Sequence, residues 1–271
     1  MACRGGWSPW VALVLASVLS GACATGSVRS RSASRGGLRF DTETNARMRY
    51  AGQLGASGSS AVPLTVVSSL VRFAPGLLIV LRSDAEVHEL EARLMECVRQ
   101  AERQVNFPLF GDRAPTRDEC GEELSVDGCD EPITRAMLLG RQKHTLALAC
   151  ARDVLAQLWP APFSIEQRYR YYQRSGILET IGLEKEQQLI NQGCTDALRG
   201  SIKPDLVLHS DFNLLRAVLV LDFKFPCPPT NRPKWREYGE TGPYAGLNQG
   251  KVYQEALGGK VLLISPQGIS P

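Results

Sequence analysis

The chain has 271 residues, a formal net charge of +3 and 44% apolar residues. The mild charge excludes a strongly basic nucleic-acid coat. Setting aside the leader and tether described next leaves roughly 210 residues, enough for one large or two small domains.

At residues 1–23, Arg4 precedes the apolar stretch WVALVLASVL (10–19) and then small residues up to Cys23. This pattern predicts a secretory signal peptide, because the apolar run is too short for a comfortable membrane span. Leu19, Ser20, Gly21 and Ala22 before Cys23 resemble a bacterial lipobox, with Ser20 standing where Leu is commoner. The resemblance implies a lipid on Cys23; ordinary cleavage between Ala22 and Ala24 is the alternative. Ala24, in place of a retention Asp, implies the outer membrane as the address. Residues 24–61 are rich in Ser, Gly, Ala and Arg without an apolar period, which predicts a disordered tether. Its arginines (Arg29, Arg31, Arg35, Arg39) fit a solvated linker better than a binding arm.

Residues 62–162 read as a mainly helical region. Ser83 and Glu86 have capping-box spacing, and Val87, Leu90, Leu94, Val98, Ala101 and Val105 recur at helical intervals. A second helix is predicted from Ile133 to Leu158. Its expected buried side carries Met137, Leu146, Ala149, Cys150, Val154 and Leu158, with Arg135, Arg141, Lys143 and Arg152 on other faces. His144, alone on that helix without a second His or Cys at ligand spacing, reads as structural. An acidic loop between the helices holds Cys120 and Cys129.

Residues 163–271 carry the strongest pattern. Asp205 follows Pro204 at the start of an apolar run (Leu206, Val207, Leu208), a polar turn follows, and a second run, VLVLDFK, ends at Lys224. A hairpin would bring Asp205 to Asp222. Side chains alternate along a strand, so Asp222 and Lys224 share one face and Phe223 enters the opposite layer. A carboxylate is a hard oxygen ligand suited to Mg²⁺, and a Lys two residues on is placed to activate water or steady charge on a phosphate. The stretch LNQGKVYQEALGGKVLLISP then predicts a helix stopped by Gly258 and Gly259, and a further strand.

Pro204, Asp205, Asp222, Phe223 and Lys224, in this order and followed by helix and strand, resemble the signature of the PD-(D/E)XK nuclease superfamily. The resemblance implies an α/β fold with a restriction-endonuclease-like core, a mixed sheet flanked by helices. It implies a Mg²⁺-dependent phosphodiesterase, with Mn²⁺ as a substitute, cutting DNA or RNA. Asp205 and Asp222 would be the metal ligands, Lys224 the activating cation and Gln249 a residue that orients water. The superfamily's preceding helix often adds a Glu. FSIEQRYRYY offers Glu166, the preferred choice, and GLEKEQQL offers Glu184 and Glu186. Lys234, Trp235, Arg236 and Tyr238, after a Pro-rich loop, are candidates for stacking on a base and touching phosphate; Trp235 packing the loop down is the equal alternative.

An exported nuclease finds little nucleic acid in a periplasm. Leader, middle region and nuclease together resemble the lipoprotein toxins that social bacteria exchange by outer-membrane fusion. That resemblance implies action in a recipient cell's cytoplasm and a cognate immunity protein in the producer. The competing class is a non-catalytic envelope lipoprotein using a nuclease-like fold as a binding module; a repair or restriction enzyme with a misread leader is a third. Six cysteines remain after Cys3 and Cys23, an even set that suggests disulfides in an exported protein. The expected pairs are Cys194 with Cys227, which flank the hairpin, Cys120 with Cys129, and Cys97 with Cys150. A buried free thiol is the alternative for each.

Overall fold

The structure, a computed structural model, describes residues 69–127, 131–191 and 196–271. The expected leader with Cys23, the tether, Cys129 and Cys194 lie outside the described residues. Two short helices, α1 (Ser69–Phe73) and α2 (Leu78–Leu81), lead into the long α3 (Asp84–Phe110). The Oγ of Ser83 accepts the amide of Glu86 at 3.3 Å, satisfying one of the orphan donors of the first turn, as its spacing predicts. All six apolar positions expected on this helix are buried.

The acidic segment that follows is not a plain loop. Thr116 and Glu119 form a reciprocal capping box that starts α4 (Arg117–Gly121), and β1 (Glu123–Val126) pairs antiparallel with β2 (Pro132–Thr134). Helix α5 (Arg135–Leu158) comes next, capped by Thr134. Its buried face differs from the expected one: Leu139, Lys143, Ala147, Leu148, Ala151, Val154 and Leu155 are buried, whereas Met137 and Leu146 are exposed. Lys143 is only 1% exposed and pairs with Glu102 of α3 at 2.9 Å. An ion pair between two packed helices thus takes a place that hydropathy assigns to an apolar side chain.

FSIEQRYRYY forms two strands, β3 (Phe163–Ile165) and β4 (Arg168–Tyr172), broken at Glu166. Then come β5 (Ile177–Ile181), α6 (Leu183–Asn191) and the short β6 (Ser201–Ile202). The expected hairpin is β7 (Leu206–Leu208) antiparallel to β8 (Leu219–Phe223), with Leu206 opposite Leu221. Helix α7 (Gln249–Leu257) crosses over to β9 (Lys260–Ser265), which runs parallel to β8, and β10 (Gly268–Ser270) closes the edge. The main sheet has the order β10-β9-β8-β7-β3; β5-β4-β6 form a second, antiparallel sheet.

The chain is therefore a mixed α/β protein with helices and several sheets. Strand β8 is buried along its whole length, which its unbroken apolar run reflects. Leu219, Leu221 and Phe223, with Leu206 and Leu208, join the core made with Leu90 and Leu94 of α3 and Ala147 and Ala151 of α5. Val207 and Val220 face the other way, into a core with Val252, Tyr253 and Leu257 of α7 and Tyr169 of β4. The first core spans both sides of residue 162, so the helical region and the sheet share one interior. Gly259, at φ +67, makes the tight entry to β9 workable: a Cβ there would lie 2.5 Å from the carbonyl oxygen of Ala217.

Among the described residues there are two disulfides. Cys97–Cys150 ties α3 to α5 and is the expected pair. Cys120 is bonded to Cys227, which corrects both other expected pairings, Cys120 with Cys129 and Cys194 with Cys227. The reason is tertiary. The sheet lays the loop after β8 beside α4, so the partner of Cys120 is 107 residues away in the chain instead of nine. Among the described residues, no helix is long and apolar enough to cross a membrane.

Candidate active site

Asp205 lies one residue before the Leu206–Leu221 pair and Asp222 one residue after it, so the antiparallel register sets the two carboxylates side by side. Strand alternation puts Asp222 and Lys224 on the face toward α7. Asp222 is 2% exposed and is paired through Oδ2 with the Lys224 ammonium. Its other oxygen, Oδ1, accepts from Gln249 Nε2 at 3.3 Å and lies 3.4 Å from the Tyr253 hydroxyl. Lys224 Nζ also donates to Gln249 Oε1 at 3.1 Å. Gln249 thus holds the lysine with one end of its amide and the aspartate with the other, while Nε2 also meets the Tyr253 oxygen at 2.6 Å. Asn248 caps α7 by accepting the Lys251 amide, which fixes where Gln249 begins the helix.

Asp205 Oδ2 accepts the backbone amide of Phe223 at 2.6 Å. Burial first, and the neighbouring Asp222 charge second, raise the pKa of the Asp205 carboxyl well above the ordinary aspartate range. The bond from Phe223 and the Lys224 charge pull the other way without cancelling the rise. Two buried acids facing one lysine leave an excess of negative charge.

His144 of α5 faces the same acid, with Nδ1 3.4 Å from Asp205 Oδ2. Burial is the largest influence on this imidazole and lowers its pKa, so the contact sets a neutral ring against the carboxyl. The ring packs edge-on against Phe225 at 5.3 Å. This is the residue that reading by spacing set aside as structural. The available signal was its place on the helix preceding the first strand of the main sheet, where a partner for the acids was sought.

Glu166 is at the site's edge but not on a helix, a correction to the expected preceding-helix acid. It follows β3 at φ +48, and its exposed carboxylate lies 3.5 Å from Lys203 Nζ. Its charge raises the pKa of both Asp205 and His144, so it is within electrostatic reach of them. Glu186 is turned away into a buried pair with Arg168 Nε at 3.0 Å and Lys203 Nζ at 3.3 Å. Glu184 is exposed on α6.

Trp235 rests on α7. Its ring meets Tyr253 edge-on at 6.2 Å, Lys224 Nζ stands 5.9 Å from an indole centroid, and a Cβ on Gly250 would come within 2.7 Å of it. The indole therefore packs the loop down while flanking the lysine, so both expectations for it describe part of its environment. Tyr238 is half-buried against Tyr244, and Lys234 and Arg236 are exposed. Among the described residues, no group of three or more His, Cys, Asp or Glu is placed to hold a metal ion. No protein-family model, curated protein or solved structure matches the chain.

Proposed function

We propose that this protein is a metal-dependent nuclease of the PD-(D/E)XK type. The observation that carries the reading is the meeting of Asp205, Asp222, Lys224 and Gln249 at one end of the β7–β8 hairpin. The order of elements supports it: α5, the strands β3, β7 and β8, the crossover α7, and β9 parallel to β8 follow the sequence of parts that the motif implies.

The donor set fits a hard divalent cation. Asp205 takes up a proton more readily than an ordinary aspartate because it is buried and, second, because Asp222 lies beside it. Mg²⁺ commonly needs only one or two carboxylates, with water and phosphate oxygens completing its shell. Asp205 and Asp222 would hold it, and Mg²⁺ or Mn²⁺ there would neutralise phosphate charge and lower the pKa of bound water. Lys224, anchored by Asp222 and Gln249, presents an ammonium to a phosphate oxygen. Gln249 keeps that lysine and Asp222 in register, and Phe223's amide keeps Asp205 turned inward.

We further propose export, with a lipid on Cys23 and an outer-membrane address supported by the lipobox-like residues of the leader, and use as a toxin against other cells, which rests on the resemblance of leader, middle region and nuclease together. An immunity protein would then protect the producer. The competing reading is an envelope lipoprotein that binds without catalysis. Cleavage of plasmid DNA and total tRNA with Mg²⁺, against EDTA and the Asp222→Ala, Lys224→Ala double variant, separates the two. The nuclease requires metal-dependent cutting that falls by about 10²-fold or more in the variant. Folded wild type that cuts neither substrate removes the nuclease and makes the binding module the leading reading. Expression without the leader in a susceptible host tests the toxin role, which fails if the host survives wild type and variant alike.

A further inference from the structure

A cleft of about 500 Å³ opens on α5 next to the paired acids. His144 and Glu166, both electrostatically linked to Asp205, form its near wall, and Met137, Gly140, Arg141, Thr145 and Leu148 form the rest. Three properties define what it can take. Met137 is exposed and Leu148 is buried at the floor with 6% of its surface open, so the wall offers carbon surface, mainly from Met137, to a flat apolar group. Gly140 has open space where a Cβ would project, which leaves room above the helix. Arg141 is exposed, and among the described residues no carboxylate is paired with it. It sits one helical turn from His144, on the same side of α5 and about 5–6 Å away between Cβ atoms.

We propose that this cleft is a nucleotide subsite, in which Arg141 grips the phosphate neighbouring the scissile one and Met137 and Leu148 receive an unpaired base. The inference rests on the nuclease reading and narrows its substrate to single-stranded nucleic acid. A base still stacked and paired in a duplex cannot enter a cleft beside the acids without unstacking and leaving the helix. An unpaired strand already presents its bases to side-chain surfaces. The negative charge of Glu166 does not oppose the phosphate strongly, since Lys203 stands 3.5 Å from it. Arg141 supplies the local positive charge that the weakly charged protein as a whole lacks.

The test uses the folded mature protein and three probes: a fluorescein-labelled 12-nucleotide single strand, the same strand annealed to its complement, and bis(p-nitrophenyl) phosphate, which is too small to span the acids and the cleft. Gly140→Trp fills the cleft, and Arg141→Ala removes its cation; thermal melting checks that each variant folds. Wild type is expected to cut the single strand faster than the duplex. Both variants should raise KM for the single strand about tenfold while leaving kcat and hydrolysis of the small diester unchanged, with Arg141→Lys recovering part of the loss. Anisotropy of the same strand in EDTA gives a readout free of turnover. Arg141→Ala should weaken binding and make log Kd less steep in log salt by about 0.7. Unchanged KM and binding in both variants, or a wild-type preference for duplex, overturns the subsite while hydrolysis of the small diester leaves the nuclease standing. Wild type that hydrolyses neither the strand nor the small diester instead removes the nuclease reading. In that case the anisotropy decides whether the cleft binds nucleic acid.

Discussion

Asp205→Asn should make the metal-free protein more stable. The Asp205 side chain is 13% exposed and Asp222 is 2% exposed, so ionising Asp205 sets two like charges in a poorly solvated space. An effective desolvation penalty of several kcal/mol for a buried ion is offset in part by the charge-assisted bond from Phe223, worth about 1.5–3 kcal/mol. A net strain of about 2 kcal/mol remains, and Asn removes it while its Oδ1 still accepts the Phe223 amide. For a unit of this size that is roughly a 4–8 °C rise in Tm. The pH dependence follows from the raised Asp205 pKa. The native protein holds a proton that an unfolded aspartate, with a pKa of about 3.9, has lost. Stability associated with Asp205 is therefore full at acid pH and declines as pH rises through the native pKa. Melting curves in EDTA from pH 5 to pH 9 should show the variant's advantage at pH 8 and its narrowing toward pH 5. Saturating Mg²⁺, at about a hundred times its Kd, should stabilise wild type by about 2.7 kcal/mol and the variant far less. A variant that melts at or below wild type at pH 8 would refute the claim that the acids repel one another.

Other substitutions probe the supports of the site. Gly250→Ala places a Cβ 2.7 Å from the Trp235 ring, so the indole must leave its seat beside Lys224. Tryptophan emission should shift and diester cleavage fall about tenfold with only modest destabilisation, and unchanged emission would show that the indole is not seated there. Gly259→Ala combines φ +67 with a 2.5 Å approach to the Ala217 carbonyl, and should cost about 3 kcal/mol in urea unfolding. Replacing Cys120 and Cys227 together by Ser should lower unfolding free energy by about 2–5 kcal/mol and expose the loop after β8 to protease. Equal protease resistance would mean that the bridge does not hold that loop.

The acids of the hairpin were legible because a strand's period of two is local: Asp222 and Lys224 must share a face whatever else the chain does. Asp205 came with them once the polar turn marked a hairpin, since antiparallel register places residues flanking the turn opposite one another. Gln249 entered only through the family resemblance, while Gly258 and Gly259 marked the end of its helix and the structure adds Asn248 as its cap. Glu166 was located near the acids but on the wrong element, because FSIEQRYRYY has no period that separates a helix from two short strands.

His144, Lys143 and the Cys120–Cys227 bridge could not be read in this way. Local sequence determined the long helix after Ser83, the β7–β8 hairpin, the paired acids at its open end and the crossover to β9, through caps, glycines and periodicities that act within a few residues. Tertiary structure alone decided which face of α5 lies on the sheet. That choice buries Lys143 against Glu102, brings His144 to Asp205 and leaves Arg141 at the cleft. It also decided that the loop after β8 passes α4, so that Cys227 meets Cys120. The physical reason is that burial and long-range pairing depend on which surfaces meet, and a helix face turned by one residue, about 100°, exchanges its partners without changing any local preference.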